Sequence, residues 1–395
     1  MSPPHTLLMT VTGKDRPGLT AALFEAFSAY PVEVVDIEQI VIRGRLVLGL
    51  LMTAGPDEGG LRAAAHRRAA ELGLDVDIIS GSGDSQPLGP GRSHVTVLAR
   101  PLRPSAVAGV AQRISASGGN IERIVRLSSY PVTSIELEVS GVDPDKLKGE
   151  LAAEAVTQRV DVAVQRSGLH RRAKRLVVMD VDSTLIHGEV IDLLAAHAGC
   201  LAEVAAITEA AMRGELDFAA ALRARVALLR GLDTCAFDAI RHQITLTPGA
   251  RTLIRTLNRL GYQCGIVSGG FTQVTDGLVA ELNLDYAAAN TLEVMDGQLT
   301  GRLTGPIVDR TGKAAALVRF AHDAGVPMSQ TVAIGDGAND VDMLTAAGLG
   351  IAFNAKPVVR NAADAVVTVP FLDAVLYLLG ITREEIEAAD AQDFG

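Results

Sequence analysis

Four short stretches, in chain order, carry the side chains that could do chemistry. The first is Asp180-Val181-Asp182-Ser183-Thr184, directly after the apolar run Leu176-Val177-Val178-Met179. Ser268-Gly269-Gly270 follows Cys264–Val267, and Thr311-Gly312-Lys313 stands ahead of a helical stretch. The last, Gly335-Asp336-Gly337-Ala338-Asn339-Asp340, follows Thr331–Ile334. In an open parallel sheet, chemistry collects beyond the carboxyl ends of the strands, so folding one would bring all four stretches to a single edge. Three or four carboxylates around one point cannot all stay ionised without a cation. Hard oxygen ligands suit Mg2+, which keeps several waters and often takes a further ligand from a phosphate. A hydroxyl, backbone N–H groups in a glycine turn and a lysine ammonium make a cradle for phosphate oxygens. One aspartate can attack phosphorus as a nucleophile, giving an aspartyl-phosphate. Another can protonate the leaving oxygen and later take a proton from water. This inventory supports phosphoryl transfer, whose catalysis is mostly positioning and charge neutralisation. A solvated turn would account for Asp180 and Asp182 alone, but not for the ordered series. Lysine is scarce beside arginine in this chain, which sets Lys313 apart.

The elements needed to position these residues are legible from residue 174 onward. Leu176–Met179, Cys264–Val267, Thr331–Ile334, Gly350–Phe353 and Ala365–Val369 are short apolar runs alternating with helical stretches. Near-continuous apolar strands predict a parallel sheet covered on both faces. Between about Glu189 and Thr247 the sequence is mainly helical, most clearly at Leu201–Met212 and Phe218–Leu229. Thr291–Thr304, with Asp296-Gly297 at its centre, predicts a β-hairpin as a second insertion. The expected core is therefore a doubly wound α/β domain with a helical cap inserted after its first strand.

Ahead of this core the chain repeats itself. Strand His5–Val11, helix Pro17–Ala29, strands Val32–Val41 and Leu46–Met52, helix Asp57–Leu72 and strand Leu74–Ile79 form one βαββαβ series. Strand His94–Ala99, helix Pro104–Ser117, strands Ile121–Leu127 and Ser134–Val139, helix Pro144–Ala155 and strand Val160–Gln165 form another. The stretch Gly81–Arg92, rich in Gly, Ser and Pro, reads as the linker between them. The expected domains are 1–81, a linker at 82–92, 93–168, and a catalytic domain at 174–395 with its cap at about 189–247.

Length and composition bound the function. At 395 residues the chain needs more than one core. With 48% apolar and 21% charged residues it reads as a soluble globular protein. A net charge of −10 without a basic stripe argues against a nucleic-acid binder, as do few aromatics and no Trp. No apolar run approaches the roughly 20 residues that span a bilayer. The N-terminal stretch lacks the basic and long apolar regions of a signal peptide. Cys200, Cys235 and Cys264 have no metal-site spacing and fit a reduced, cytoplasmic protein, as small apolar fillers.

In their order, DVDST, SGG, the lone Lys313 and GDGAND resemble the four motifs of the haloacid dehalogenase phosphatase superfamily, over roughly Arg175 to Val369. Within it, DVDSTLIHGEVID, AMRGELDFAAALRARVALL and SGGFTQV resemble the phosphoserine phosphatase family. The resemblance implies Asp180 as nucleophile and Asp182 as general acid and base. It implies Mg2+ held by a carboxylate oxygen of Asp180, the backbone oxygen of Asp182, and Asp336, with Asp340 in support. Ser268, the Gly269 N–H and Lys313 would hold the phosphate, and Asn339 would orient the substrate. Glu189 would meet the substrate ammonium and Arg225 its carboxylate, while Met212 and Phe218 would close the pocket. The implied reaction is hydrolysis of O-phospho-L-serine to L-serine and phosphate, the last step of serine biosynthesis. A transport ATPase sharing the nucleophile would need membrane helices, a dehalogenase would not need Asp182, and a non-catalytic amino-acid sensor would not need the carboxylates. A phosphatase for another small phosphate stays open.

VTGKDRPGL, Val11 to Leu19, resembles the first strand-to-helix loop of ACT domains. The corresponding LARPLRPSAVAGV, Leu98 to Val110, diverges and lacks the glycine. The resemblance implies amino-acid-binding regulatory modules with Asp15 and Gly18 in the effector loop, where a glycine would let a ligand approach the backbone. L-serine is the expected effector, and exposed edge strands suggest a homodimer. Modules serving only assembly are the alternative.

Overall fold

The structure, a computed structural model, describes residues 5–82, 91–168, 171, 173–213 and 215–393. The chain divides into two compact units, 1–88 and 89–395. The linker residues 83–90 lie outside the described part.

In the first unit, β1 (His5–Lys14), β2 (Val34–Ile42), β3 (Arg45–Thr53) and β4 (Leu74–Ser82) form an antiparallel sheet in the order β2-β3-β1-β4. Alternation puts Leu7, Met9 and Val11 of β1 and Leu46, Leu48, Leu50 and Met52 of β3 on one face. That face packs against Leu19, Leu23 and Phe27 of helix Leu19–Phe27 and Leu61, Ala65 and Ala69 of helix Glu58–Leu72. The first helix starts two residues later than Pro17 because Gly18 sits at φ 90, outside helical space. β2 is an edge strand exposed along its whole length, including Val34, Val35, Ile37, Ile40, Val41 and Ile42.

The second unit opens with the other repeat. Its strands β5 (Ser93–Ala99), β6 (Asn120–Ser128), β7 (Thr133–Ser140) and β8 (Asp161–Arg166) take the equivalent order β6-β7-β5-β8. The core sheet follows, built from β9 (Leu176–Asp180), β10 (Gln263–Phe271), β11 (Tyr286–Met295), β12 (Gln298–Thr304), β13 (Thr331–Gly335), β14 (Gly350–Phe353) and β15 (Ala365–Val367). Its order is β12-β11-β10-β9-β13-β14-β15. β9 lies at the centre, parallel to β10 and β13, with Leu176 to Met179 wholly buried. Helices Val190–Ala198, Leu201–Met212, Phe218–Leu228 and Ala236–Gln243 form the cap between β9 and β10.

The hairpin is not a separate insertion. β11 first pairs in parallel with β10, from Gly265 opposite Tyr286 to Phe271 opposite Asn290, and then turns antiparallel to β12. It therefore extends the core sheet to its edge. Tyr286-Ala287-Ala288-Ala289 has little β propensity, so the strand comes from pairing rather than local preference. The turn itself follows its sequence, with Asp296 at φ 50 and Gly297 at φ 78.

The second repeat is packed onto the catalytic domain. One face of its sheet covers its own helices, through Val95, Val97 and Leu137 against Val110, Ile114 and Leu147. Leu98, Leu127, Val132 and Ala163 join the catalytic core, alongside Leu372, Val375, Leu376 and Tyr377. Asp161, buried, accepts from the Thr368 N–H (2.7 Å) and hydroxyl (2.8 Å). Gln165 donates to the Leu378 carbonyl at 2.7 Å. Arg171 and Glu136 form a buried ion pair, and His94 Nδ1 lies 3.1 Å from the same carboxylate. Burial acts to raise the Glu136 carboxyl, but His94 and Arg171 outweigh it and hold it below its usual value. Among the described residues no helix is long and apolar enough to cross a membrane.

Removing one partner of a buried ion pair leaves the other uncompensated and costs about 3–5 kcal/mol, whereas an exposed pair contributes about 0–1 kcal/mol. Arg171→Ala should therefore lower the melting temperature of the second unit by several degrees. Arg126→Ala, which loses an exposed pair with Glu384 at 3.1 Å, should leave it nearly unchanged. Thermal unfolding followed by circular dichroism checks both, and equal shifts would mean that the buried pair is not special.

Candidate active site

The site forms where the chain leaves the central strand. β9 ends at Asp180, and Val181–Leu185 follow as one wide helical turn closed by Ile186 N–H to Val181 O at 3.0 Å. Ser183 takes φ 60 inside this turn. The result puts two aspartates of one strand end to different uses. Asp180 Oδ1 accepts from the Val181 N–H and from Lys313 Nζ, both at 2.7 Å. The Asp182 carboxylate accepts from the Val190 N–H at 2.8 Å and the Ser268 hydroxyl at 3.0 Å. Ser268 in turn accepts from the Gly270 N–H at 2.7 Å. Position 270 has no room for a side chain, since a Cβ would come within 2.9 Å of Ser268 Oγ and 3.2 Å of Asp182 Oδ2.

Lys313 comes from helix Arg310–Asp323, whose N-terminus Asp309 caps by accepting the Gly312 N–H at 2.8 Å. Its ammonium is fully buried between Asp180 and Asp340, 2.6 Å from Asp340 Oδ1. The other Asp340 oxygen accepts the N–H groups of Asp336 (3.1 Å) and Gly337 (2.9 Å), which shapes the turn after β13. Asp336 Oδ1 accepts from the Thr184 hydroxyl at 2.7 Å. Carboxylate oxygens of Asp180, Asp336 and Asp340 lie within 4.8 Å of one another.

Burial dominates the electrostatics. It raises Asp180 well above its usual range, helped by Asp340 and Asp182 and opposed by Lys313. It raises Asp182 against the hydrogen bonds from Val190 and Ser268. Asp336 is pushed up to about 6, chiefly by burial. Glu189, exposed toward the cavity, is pushed up to about 7, first by partial loss of water and then by the nearby Asp182 and Asp336. Burial works against the Lys313 ammonium, but its two carboxylates outweigh that and raise it.

These shifts describe a site short of positive charge. Among the described residues, the five carboxyl groups of Asp180, Asp182, Glu189, Asp336 and Asp340 face Lys313, Arg225 and, at the cavity wall, Lys356. Among the described residues, Asp180 and Asp336 each keep one oxygen to which no donor is assigned. An all-oxygen donor set with spare carboxylate oxygens fits a hard divalent cation. Asp180 and Asp336 are the residues placed to hold it, and Asp340 is already engaged by Lys313 and two backbone N–H groups.

A cavity of about 390 Å³ lies between this cluster and the cap. Asp180, Asp182, Lys313, Asp336 and Asn339 line it from the core, with Gly269 beside them. Glu189, Phe218 and Arg225 line it from the cap side. Arg225 is half-buried; its Nη1 reaches Thr208 Oγ1 at 3.4 Å, and its buried Nε has no partner among the described residues. Ser268 and Asp340 stand behind the wall, fully buried. Met212 ends its helix, but its side chain lies outside the described part.

Several residues here were not singled out in the sequence. Thr184 stood inside the quoted motif, yet nothing local showed that its hydroxyl would bind Asp336. Asn290 had no signal at all. It donates to the Gly269 carbonyl at 2.8 Å and accepts the Val308 N–H at 2.8 Å, tying β11 to the glycine turn. Thr208 and Lys356 are brought in by the cap and by the loop after β14.

Asp15 and Gly18 belong to the first unit. Asp15 is half-buried and its N–H donates to the Gly44 carbonyl at 2.8 Å. A Cβ at Gly18 would meet nothing within 4 Å, so φ 90 and not a close approach is what requires glycine there. A substitution at 18 is strained with or without a ligand.

Comparison with known proteins is consistent along the whole chain. Residues 177–345 match the haloacid dehalogenase-like hydrolase model, and residues 5–78 and 92–165 each match an ACT domain model. A phosphoserine phosphatase of Streptomyces coelicolor is 65% identical over 99% of this chain and 96% of its own. One of Mycobacterium tuberculosis is 54% identical over 99% and 97%. Among solved structures, a haloacid dehalogenase family hydrolase of Salmonella enterica superposes with a TM-score of 0.65 at 28% identity, covering 73% of this chain and 98% of its own. A probable phosphoserine phosphatase of Vibrio cholerae superposes at 0.59 and 33% identity, covering 75% and 88%.

The Lys313 geometry predicts a pH-dependent stability defect. Lys313→Met leaves Asp180 and Asp340 without their cation, which raises the Asp180 carboxyl still further above its unfolded value. Such groups cost stability where the unfolded chain is ionised, and the cost fades as pH falls and the folded state keeps its protons. In chelator, urea unfolding should show a loss of about 3–5 kcal/mol near neutral pH. The loss should shrink by about pH 5, and a defect that grows on acidification would contradict the pairing.

Proposed function

The chain belongs to the phosphoserine phosphatases of the haloacid dehalogenase-like hydrolases, and from that premise we propose how its own residues hydrolyse O-phospho-L-serine to L-serine and phosphate. The observation that carries this reading is one cavity with two kinds of wall. On the core side, Asp180 is held by a buried ammonium at a strand end. On the cap side, Arg225 has a buried donor with no partner among the described residues, and Glu189 a carboxylate open to the cavity. The first suits a phosphate, and the second suits the carboxylate and ammonium of an amino acid.

Asp180 attacks phosphorus through one carboxylate oxygen as the ester P–O bond breaks, leaving an aspartyl-phosphate. Asp182, kept protonated more readily by burial, gives its proton to the departing serine oxygen. It then takes a proton from the water that attacks the phosphoenzyme, the bond to Asp180 breaks, and phosphate leaves. Ser268 fixes the orientation of Asp182, and Gly269 lies at the phosphate end of the cavity. The Lys313 ammonium spends two of its three donors on Asp180 and Asp340, so one remains for a phosphate oxygen. Asp180, Asp336 and the backbone oxygen of Asp182 would hold Mg2+, with Asp340 fixing the turn behind them. When bound, Mg2+ supplies charge neutralisation of the phosphate oxygens. Asn339 orients the substrate, Glu189 meets its ammonium, Arg225 its carboxylate, and Phe218 closes the cap side.

The first unit is read as the regulatory module, with L-serine as its effector at the loop carrying Asp15 and Gly18. The exposed apolar edge strand β2 is the surface through which two chains would pair as a homodimer. Three unpaired cysteines suit a reduced compartment and support the reading of a cytoplasmic enzyme.

Phosphate release from a panel of small phosphomonoesters tests the reaction. Phosphoserine should turn over faster than phosphoglycolate or a sugar phosphate, chelator should abolish turnover, and Asp180→Asn should do the same in a folded protein. Equal rates across the panel would remove the substrate assignment, and activity untouched by chelator the metal.

Arg225→Ala should raise KM for phosphoserine by about one and a half to three and a half powers of ten, since truncating one partner of a buried charge pair costs about 2–5 kcal/mol. Phosphoethanolamine, which lacks the carboxylate, should lose much less. Equal losses would make Arg225 a packing residue of the cap.

A further inference from the structure

We propose that the second repeat positions the catalytic carboxylate Asp336 through a hydrogen-bonded relay that bypasses the cap, with Asp161 and Thr247 as its positioning residues. The inference rests on the reading of Asp336 as a metal ligand.

The relay starts at the edge strand β8. Asp161 is 4% exposed and meets both the N–H and the hydroxyl of Thr368. A buried carboxylate is costly without such partners, so this contact fixes where the chain runs after β15. Three residues on, Phe371 lies under the Arg100 guanidinium, 5.5 Å from the ring centroid. Arg100 belongs to the second repeat's first strand-to-helix loop, the counterpart of the proposed effector loop of the first repeat. In this copy the loop is engaged with the catalytic domain.

The next residue carries the contact inward. Leu372 N–H donates to the Pro248 carbonyl at 2.7 Å. Pro248 follows Thr247, which returns the chain from the cap and is 4% exposed. Thr247 binds the Asp180–Leu185 turn twice, its N–H to the Leu185 carbonyl at 2.9 Å and its hydroxyl to the Thr184 carbonyl at 2.7 Å. Thr184 then donates its own hydroxyl to Asp336 Oδ1. That bond engages Asp336 Oδ1 and leaves the other carboxylate oxygen, to which no donor is assigned among the described residues. Buried side chains anchor the path at Val369, Leu372, Thr247, Thr184 and Leu185, whereas Thr368, Pro370 and Pro248 are exposed. None of these contacts involves the cap helices.

Groups that orient a metal ligand commonly change metal affinity about 10–100-fold when removed, and more remote coupled positions by smaller factors. The test is calorimetric titration of Mg2+ into the metal-free full chain without substrate, which reads binding independently of turnover. Thr247→Val should weaken Mg2+ about tenfold, with Thr247→Ser close to wild type because it keeps the hydroxyl. Asp161→Asn should weaken Mg2+ about threefold. Lys148→Ala breaks an interface ion pair off the relay, with Asp364 at 3.0 Å, and should change nothing. Circular dichroism reports whether each variant folds, with Thr247→Ala and Thr368→Val as replacements for any that do not. Thr247→Val with wild-type affinity overturns the relay. A weakened Thr247→Val beside an unaffected Asp161→Asn overturns its reach into the second repeat. Weakening by Lys148→Ala overturns its specificity. A wild-type chain that does not bind Mg2+ overturns the metal reading beneath it.

Discussion

A buried ammonium between two buried carboxylates sets the conditions for everything else in the catalytic half. Lys313 lies within 2.7 Å of Asp180 and 2.6 Å of Asp340. Without it, the end of β9 and the turn after β13 would each bury an uncompensated charge, and the two loops would repel. With it, two strand ends lock together, and carboxylate oxygens of Asp180, Asp336 and Asp340 come within 4.8 Å of one another. The cost of burying this much charge is met by pairing, by backbone N–H groups and, in the proposed mechanism, by Mg2+. A site so arranged is stable only when its charges are matched, and its substrate brings both a phosphate and a zwitterion.

The fold serves this triad by geometry. A central strand buried on both faces delivers Asp180 at a fixed height, and parallel neighbours bring the glycine turn and the Asp336 turn to the same edge. The cap supplies Arg225 and Glu189 from the other side, so in the proposed mechanism the part that does chemistry and the part that selects substrate have separate supports. Nucleophile chemistry can thus stay constant while cap residues set substrate choice. The second repeat, sharing a core with residues 365–381, is a fixed mount for this assembly.

Much of this was legible in the sequence because it depends on local pattern. Buried parallel strands must be apolar throughout, so β9, β10, β13, β14 and β15 stand out, and their polar ends mark the site. The Asp296-Gly297 turn was legible because only certain residues take positive φ at two successive positions. What stayed hidden depends on contacts distant in sequence. The parallel half of β11 is alanine-rich and becomes a strand only by pairing with β10. Asn290, Thr208 and Thr247 are ordinary polar residues until the fold places them beside a glycine turn, an arginine and a catalytic loop. Gly18 was recognisable as special, but for a ligand's approach, whereas its backbone angle is the constraint. The packing of the second repeat on residues 365–381 left no mark, since an apolar sheet face looks the same whatever covers it.

The central claim is that Asp180, held by Lys313, becomes covalently phosphorylated. Rapid acid quenching during turnover of labelled phosphoserine, followed by peptide mapping, tests it most directly. The account predicts label on the peptide containing Asp180, at the Asp180 carboxylate, and none in Asp180→Asn. Label on another residue, or turnover with no phosphoenzyme at any quench time, would contradict it.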